Sequence, residues 1–141
     1  MGATQSIPKI NFEDMQMVIK QRESHLLIQT LPDNEQQCLI LNSVLAAQEE
    51  QIINHHLQAG SKSAVKIVIY GRNANDDTIY KKYSQLIKLG FHQVYVYPGG
   101  LFEWLLLQDI YGADEFMTTT RHVDILKYKP RQMMNVGLLC S

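Results

Sequence analysis

The stretch KIVIYGRNANDDTIYKKYSQLIKLGF, residues 66 to 91, decides the fold of the chain. Its opening is β-branched and apolar on both faces, as a central strand of a parallel sheet must be, and the strand expected is Val65 to Tyr70. A short polar loop follows, opening on Gly71 and closing on Asp76 and Asp77. The loop feeds an amphipathic helix with Ile79, Tyr83, Leu86 and Ile87 on one face and a stop at Gly90. Such a junction is the usual ligand position in open α/β sheets, because the helix amides and dipole favour negative charge there. Two carboxylates in the loop oppose that use. They read most simply as caps for the first helix amides, with a protein contact or a small-anion site as the other uses open to the loop.

Working outward, residues 1–10 read as a flexible leader ending near Pro8. Asn11 is placed to cap a helix over Phe12 to Lys20 by accepting from the Asp14 amide, with Glu13 and Asp14 in the first turn. Phe12, Met15, Val18 and Ile19 give that helix its apolar face. Ser24 to Leu31 reads as a buried strand and Cys38 to Leu41 as a second one, followed by helix formers from Asn42 to Leu57. On the far side, Phe91 to Pro98 contains a strand, and Gly99 and Gly100 turn the chain into a helix, LFEWLLLQDIYG. Periodicity is lost over 113–141, a segment expected to dock on its own domain or to offer a partner an adaptable surface. Strands alternating with helices at this spacing specify an α/β domain with a mostly parallel sheet.

Composition excludes several functions. Thirteen basic and fourteen acidic residues leave a net charge of −1, which gives no electrostatic footprint for nucleic acid. Cys38 and Cys140 lie too far apart for a zinc pattern; both read as free thiols in a reducing compartment, the cytoplasm being the location expected, with a single disulfide as the alternative. The longest apolar run is broken by Glu103 and is too short to span a membrane. The start, MGATQSIPK, has neither the apolar core of a signal peptide nor transit-peptide arginines, but it fits N-myristoylation at Gly2, with Ser6 at the favoured position. A single myristoyl chain gives only marginal, reversible membrane binding.

The segment VKIVIYGRNANDDTIYKKYSQLIKLGFHQVYVYPGGLFEWLL resembles the second half of a rhodanese-like domain. In that family a strand delivers a Cys-x-x-x-x-Arg loop, followed by a helix, a Leu-Gly-Phe turn, a strand ending in Gly-Gly and a Trp-bearing helix. Here Leu89, Gly90 and Phe91 match the turn, Gly99 and Gly100 the glycine pair, and Trp104 the tryptophan. The first half departs from the pattern: Gln29 stands where an Asp is frequent, and the Gly-His-Ile segment is missing. The resemblance runs over roughly residues 11–110 and is greatest to divergent, cysteine-less members such as those in large DNA viruses and protists. It implies a three-layer fold with helices on both faces of the sheet, a domain over 11–112 and an extension over 113–141.

The resemblance also implies a lost active site. In active members the loop amides and the helix N-terminus hold the cysteine as a thiolate that carries sulfur as a persulfide. Gly71 stands at the nucleophile position and Asp76 at that of the closing Arg, so Gly71, Arg72, Asn73, Ala74, Asn75 and Asp76 form a vestigial loop without catalytic residues. Cys38 lies in an apolar run and Cys140 at the penultimate position, neither suited to replace the nucleophile. His55 and His56 point about 100° apart on a helix and cannot share a metal, and His92 and His122 stand alone. Tyr70, Tyr80, Tyr83, Tyr95 and Tyr97 are expected half-buried around the loop. The function expected is therefore that of a protein-binding or structural module with an unidentified protein partner and no enzyme activity, cofactor or metal, and peripheral membrane association through Gly2 is an open option. The alternatives are a sulfurtransferase or phosphatase using a displaced cysteine, and a small-anion-binding domain.

Overall fold

The computed structural model describes residues 6–121 and 124–134; Gly2, His122 and Cys140 lie outside them. Three parallel strands form the sheet in the order β1 (His25–Gln29), β2 (Lys66–Tyr70) and β3 (Gln93–Tyr97). Four helices accompany them: α1 (Phe12–Lys20), α2 (Ala46–Ala59), α3 (Thr78–Lys88) and α4 (Gly100–Tyr111).

The period-two alternation of the strands splits the core into two layers. Leu27, Val68, Tyr70 and Tyr97 face Met15, Val18, Leu101, Trp104 and Leu105, which come from α1 and α4. Ile28, Ile67, Ile69, Val94 and Val96 face Ile53, Ile79 and Leu86, which come from α2 and α3. This is the expected three-layer α/β arrangement, with β2 buried on both sides. Ile87 departs from its expected place on the buried face of α3, being 40% exposed.

Helix α1 starts as its sequence dictates. Asn11 Oδ1 accepts from the Asp14 amide at 3.0 Å, and Asp14 Oδ2 accepts in return from the Asn11 amide at 3.2 Å, a reciprocal capping box.

Both margins of the sheet differ from the sequence reading. The end of the expected leader is no free arm: Lys9 bridges Val96 in parallel, the Ile10 amide donates to Val96 O, and the Val96 amide donates to Pro8 O. This pairing satisfies main-chain groups on the outer edge of β3. On the other margin the second strand expected at Cys38–Leu41 is absent. Ile40 instead bridges Thr118 antiparallel, and Ser43 bridges Leu27 in parallel. Asn42 prevents a longer strand: its φ of 71° turns the chain left-handed, and its Nδ2 donates to Ile19 O at 3.1 Å. The turn also delays α2 from the expected Asn42 to Ala46.

The described residues beyond α4 fold back over the domain. Phe116 stacks edge-on against Trp104 with centroids 5.0 Å apart, and Trp104 Nε1 donates to Met117 O at 3.0 Å. A single 3-10 turn, Ile125–Tyr128, then carries Tyr128 into the α1–α4 core layer, where it is fully buried.

Candidate functional site: a sealed loop at the end of the central strand

Strand β2 delivers the loop 71–77 at its carboxyl end, in front of the α3 N-terminus. Helix α4 holds it from behind, the Leu101 amide donating to Gly71 O and the Phe102 amide to Arg72 O, each at 2.9 Å. Gly100 permits this approach. Its φ is +70°, and a Cβ there would lie 2.8 Å from Gly71 O and 2.9 Å from Asn73 N. The second glycine of the Gly99–Gly100 pair thus lets the helix end touch the loop backbone.

Asp76 occupies the centre of the loop. Its Oδ2 accepts from the Arg72 amide at 2.8 Å, while Oδ1 accepts from the Thr78 amide at 3.0 Å and the Thr78 hydroxyl at 2.5 Å. The carboxylate therefore takes donors that such a loop would aim at a bound anion, and it caps α3 in the same act. Asp77, the residue at the N-cap position, makes no side-chain cap bond. Of the two acidic caps expected, only Asp76 serves.

The position of Gly71 follows from this. A Cβ built on Gly71 would meet Asp76 Oδ2 at 2.5 Å, Asp76 Cγ at 2.9 Å and Thr30 Oγ1 at 3.0 Å. The carboxylate stands where a side chain of residue 71 would have to begin, so glycine is what this arrangement accepts. Thr30 closes the remaining side, its hydroxyl 2.7 Å from that of Thr78.

Arg72 does not turn toward an anion. Its Nε pairs with Glu35 Oε1 at 3.0 Å, and Nη2 donates to Lys127 O. Asn73 is buried; its Nδ2 donates to Tyr128 O at 2.9 Å, and its Oδ1 accepts from the Asn75 amide at 3.0 Å. The mouth of the loop is thus covered by the turn at 125–128. Burial pushes the Tyr128 hydroxyl above its ordinary pKa, with Cys38 and Glu35 adding and Arg72 opposing. Beside the loop remains a polar cleft of about 330 Å³ lined by Thr30, Thr78 and the Lys82–Glu49 ion pair, which closes at 2.5 Å.

Glu35, Thr30 and Tyr128 had no signal in the spacing of the sequence, since each reaches the loop only through the tertiary fold. Thr78 had a weak one, the Asp-x-Thr spacing of a side-chain turn before a helix. Gln29, at the position where an Asp is frequent, is buried and accepts from the Leu31 amide at 2.9 Å.

The other candidates are structural where described. Cys38 is fully buried, and its thiol donates to Thr120 O at 3.3 Å. Tyr70 and Tyr97 are fully buried rather than half-buried. The Tyr70 hydroxyl accepts from the Ile40 amide at 3.1 Å and bonds Ser43 Oγ at 2.6 Å, and burial raises its pKa far above the usual value. Tyr97 donates to Glu103, and burial followed by that bond raises its pKa in the same way. His55 and His56 meet edge-on at 5.6 Å; partial burial, then the neighbouring ring, holds His56 below its usual pKa. Among the described residues no group of three His, Cys, Asp or Glu side chains is placed to hold a metal, and no helix is long and apolar enough to cross a membrane.

A parallel α/β domain with a loop–helix junction at the carboxyl end of its central strand is the class these features define. The profile of the rhodanese-like domain family matches residues 15–107, and the chain belongs to that family. Its fold is similar to that of the BH2092 protein from Bacillus halodurans, at 18% identity over 74% of each chain and a TM-score of 0.57. It is also similar to the Alr3790 protein from Anabaena, at 19% identity over 84% of this chain and 97% of that one, with a TM-score of 0.56. A third similar structure is Ygr203w, a yeast protein tyrosine phosphatase of the rhodanese family, at 14% identity over 83% of this chain and 94% of that one, TM-score 0.57. No curated protein matches the chain. The loop carries no cysteine, and the free thiol among the described residues, Cys38, lies in the core.

Proposed function

We propose that this chain is a catalytically inactive rhodanese-like module that works by binding protein rather than by transferring sulfur or phosphate. The observation that carries the reading is the Asp76 carboxylate seated over Gly71, 2.5 Å from the point where a nucleophile's Cβ would stand. An anionic donor would meet a negative charge in place of a thiolate and an arginine. The cysteine among the described residues, Cys38, is fully buried with its thiol donating to a main-chain carbonyl. Sulfur transfer from thiosulfate to cyanide and hydrolysis of an aryl phosphate test this in wild type and in Cys38→Ser. The expectation is no turnover above buffer in either protein. Turnover in wild type that disappears in Cys38→Ser would establish the displaced-cysteine enzyme instead.

The sequence around Gly2 adds a location to this reading: with a myristoyl group on Gly2, the module would present its partner at the cytoplasmic face of a membrane. Intact-mass measurement of protein made beside an N-myristoyltransferase tests the modification, and an unmodified N-terminus removes the tether.

A further inference from the structure

We infer that the mouth of the loop is a docking site for a tyrosine-bearing peptide, occupied in this chain by its own residues 125–130. The inference rests on the binding-module reading above and names the partner chemistry of the same site. Three observations carry it.

The first is how the turn is held. Consecutive loop residues, Arg72 and Asn73, donate to the consecutive main-chain carbonyls of Lys127 and Tyr128. Main-chain carbonyls are the part of a peptide that any sequence supplies, so this pair of bonds fixes direction and register without reading side chains. The second is the burial pattern. Over residues 124–134 only Tyr128 is buried, Ile125 and Pro130 are half-buried, and the others are exposed, Leu126 at 62%. A packed core helix buries a stripe, whereas a docked peptide buries an anchor and leaves its other side chains in water. The third is the exit of the chain, where Lys129 is extended at φ −61° and ψ 153° before Pro130, a conformation that a proline imposes on its predecessor. These features describe one ligand: an apolar residue, two residues of any kind, a tyrosine anchor, one residue of any kind, and a proline.

The test uses the whole chain with a specific protease site introduced between Arg121 and Asp124. After cleavage, the fragment from Asp124 is expected to co-elute with the domain and to be displaced by a labelled synthetic peptide of residues 124–131. The same peptide with Tyr128→Ala should displace it poorly. Arg72→Ala should weaken retention roughly tenfold, the size of one lost bond from a charged donor. In uncut protein, Tyr128→Ala should take up the labelled peptide, while wild type takes up little because its site is filled. A fragment that excess peptide never displaces, or a domain that unfolds on cleavage, would make the turn a fixed part of the core and overturn the inference. Equal displacement by the two peptides would overturn the tyrosine anchor. Sulfur-transfer and phosphatase assays on the same cut protein keep the outcomes apart, since turnover would refute the inactive-module reading whatever the peptide does.

Discussion

Replacing Asp76 by alanine tests the sealed loop most directly. The substitution removes the acceptor of the Thr78 amide at the head of α3, a cap whose loss costs about 1 kcal/mol. It also strips the Arg72 amide of a charged acceptor at 2.8 Å, which adds about 1–2 kcal/mol because the loop is closed over by Thr30 and residues 125–128. Together the loss is about 2–3 kcal/mol, or roughly 6–9 °C in melting temperature for a domain of this size. Asp77→Ala is the internal control. Its side chain makes no cap bond, so the change should stay within about 0.5 kcal/mol. Urea unfolding followed by far-UV circular dichroism gives both numbers, and an unchanged m-value shows that the same unfolded state is being compared. If the two alanine variants are equally stable, or Asp77→Ala is the worse, the seated carboxylate is not what holds the loop.

Other changes probe the neighbouring contacts. Gly71→Ala should cost about 2 kcal/mol in wild type by forcing a Cβ into the Asp76 carboxylate, and clearly less in an Asp76→Ala background; a coupling below about 0.5 kcal/mol in that double-mutant cycle would contradict the contact. Gly100→Ala combines a φ of +70° with a Cβ 2.8 Å from Gly71 O, so thermal unfolding should show a loss of roughly 2–3 kcal/mol, whereas Gly112→Ala has open space and only its backbone strain to answer for. Tyr70→Phe leaves the buried Ile40 amide without its acceptor and should lower stability by about 1–3 kcal/mol in chemical denaturation, with no change at all refuting the bond.

What could be read from the sequence was whatever local chemistry decides. Asn11 announces α1 because its cap and the Asp14 side chain sit three residues apart, within one turn. The run from Lys66 to Tyr70 announces a central strand because Ile67, Val68, Ile69 and Tyr70 are apolar on both faces of it. The glycine at the head of the loop was equally legible, since it needs only Gly71 and the count to Asp76. The conformation of Asp76 was not. Two adjacent carboxylates before a helix both look like caps, and only the three-dimensional path of the loop shows that one turns inward to the Arg72 amide. The strand expected at Cys38–Leu41 failed for a related reason. A short apolar run cannot reveal whether it pairs along its length or is merely enclosed, and the left-handed Asn42 settled that. Arg72 and Lys127 meet across 55 residues of sequence, a separation at which spacing carries no information.

That long reach also bears on how the chain is made. The sheet and all four helices lie within the first 111 residues, yet the layer between α1 and α4 is completed only by the ring of Tyr128. Contacts closed over such distances form late and slow the folding step that depends on them. A nascent or prematurely terminated chain ending before Tyr128 would hold its sheet while exposing the apolar surface that this ring covers. Such a product is open to aggregation and proteolysis.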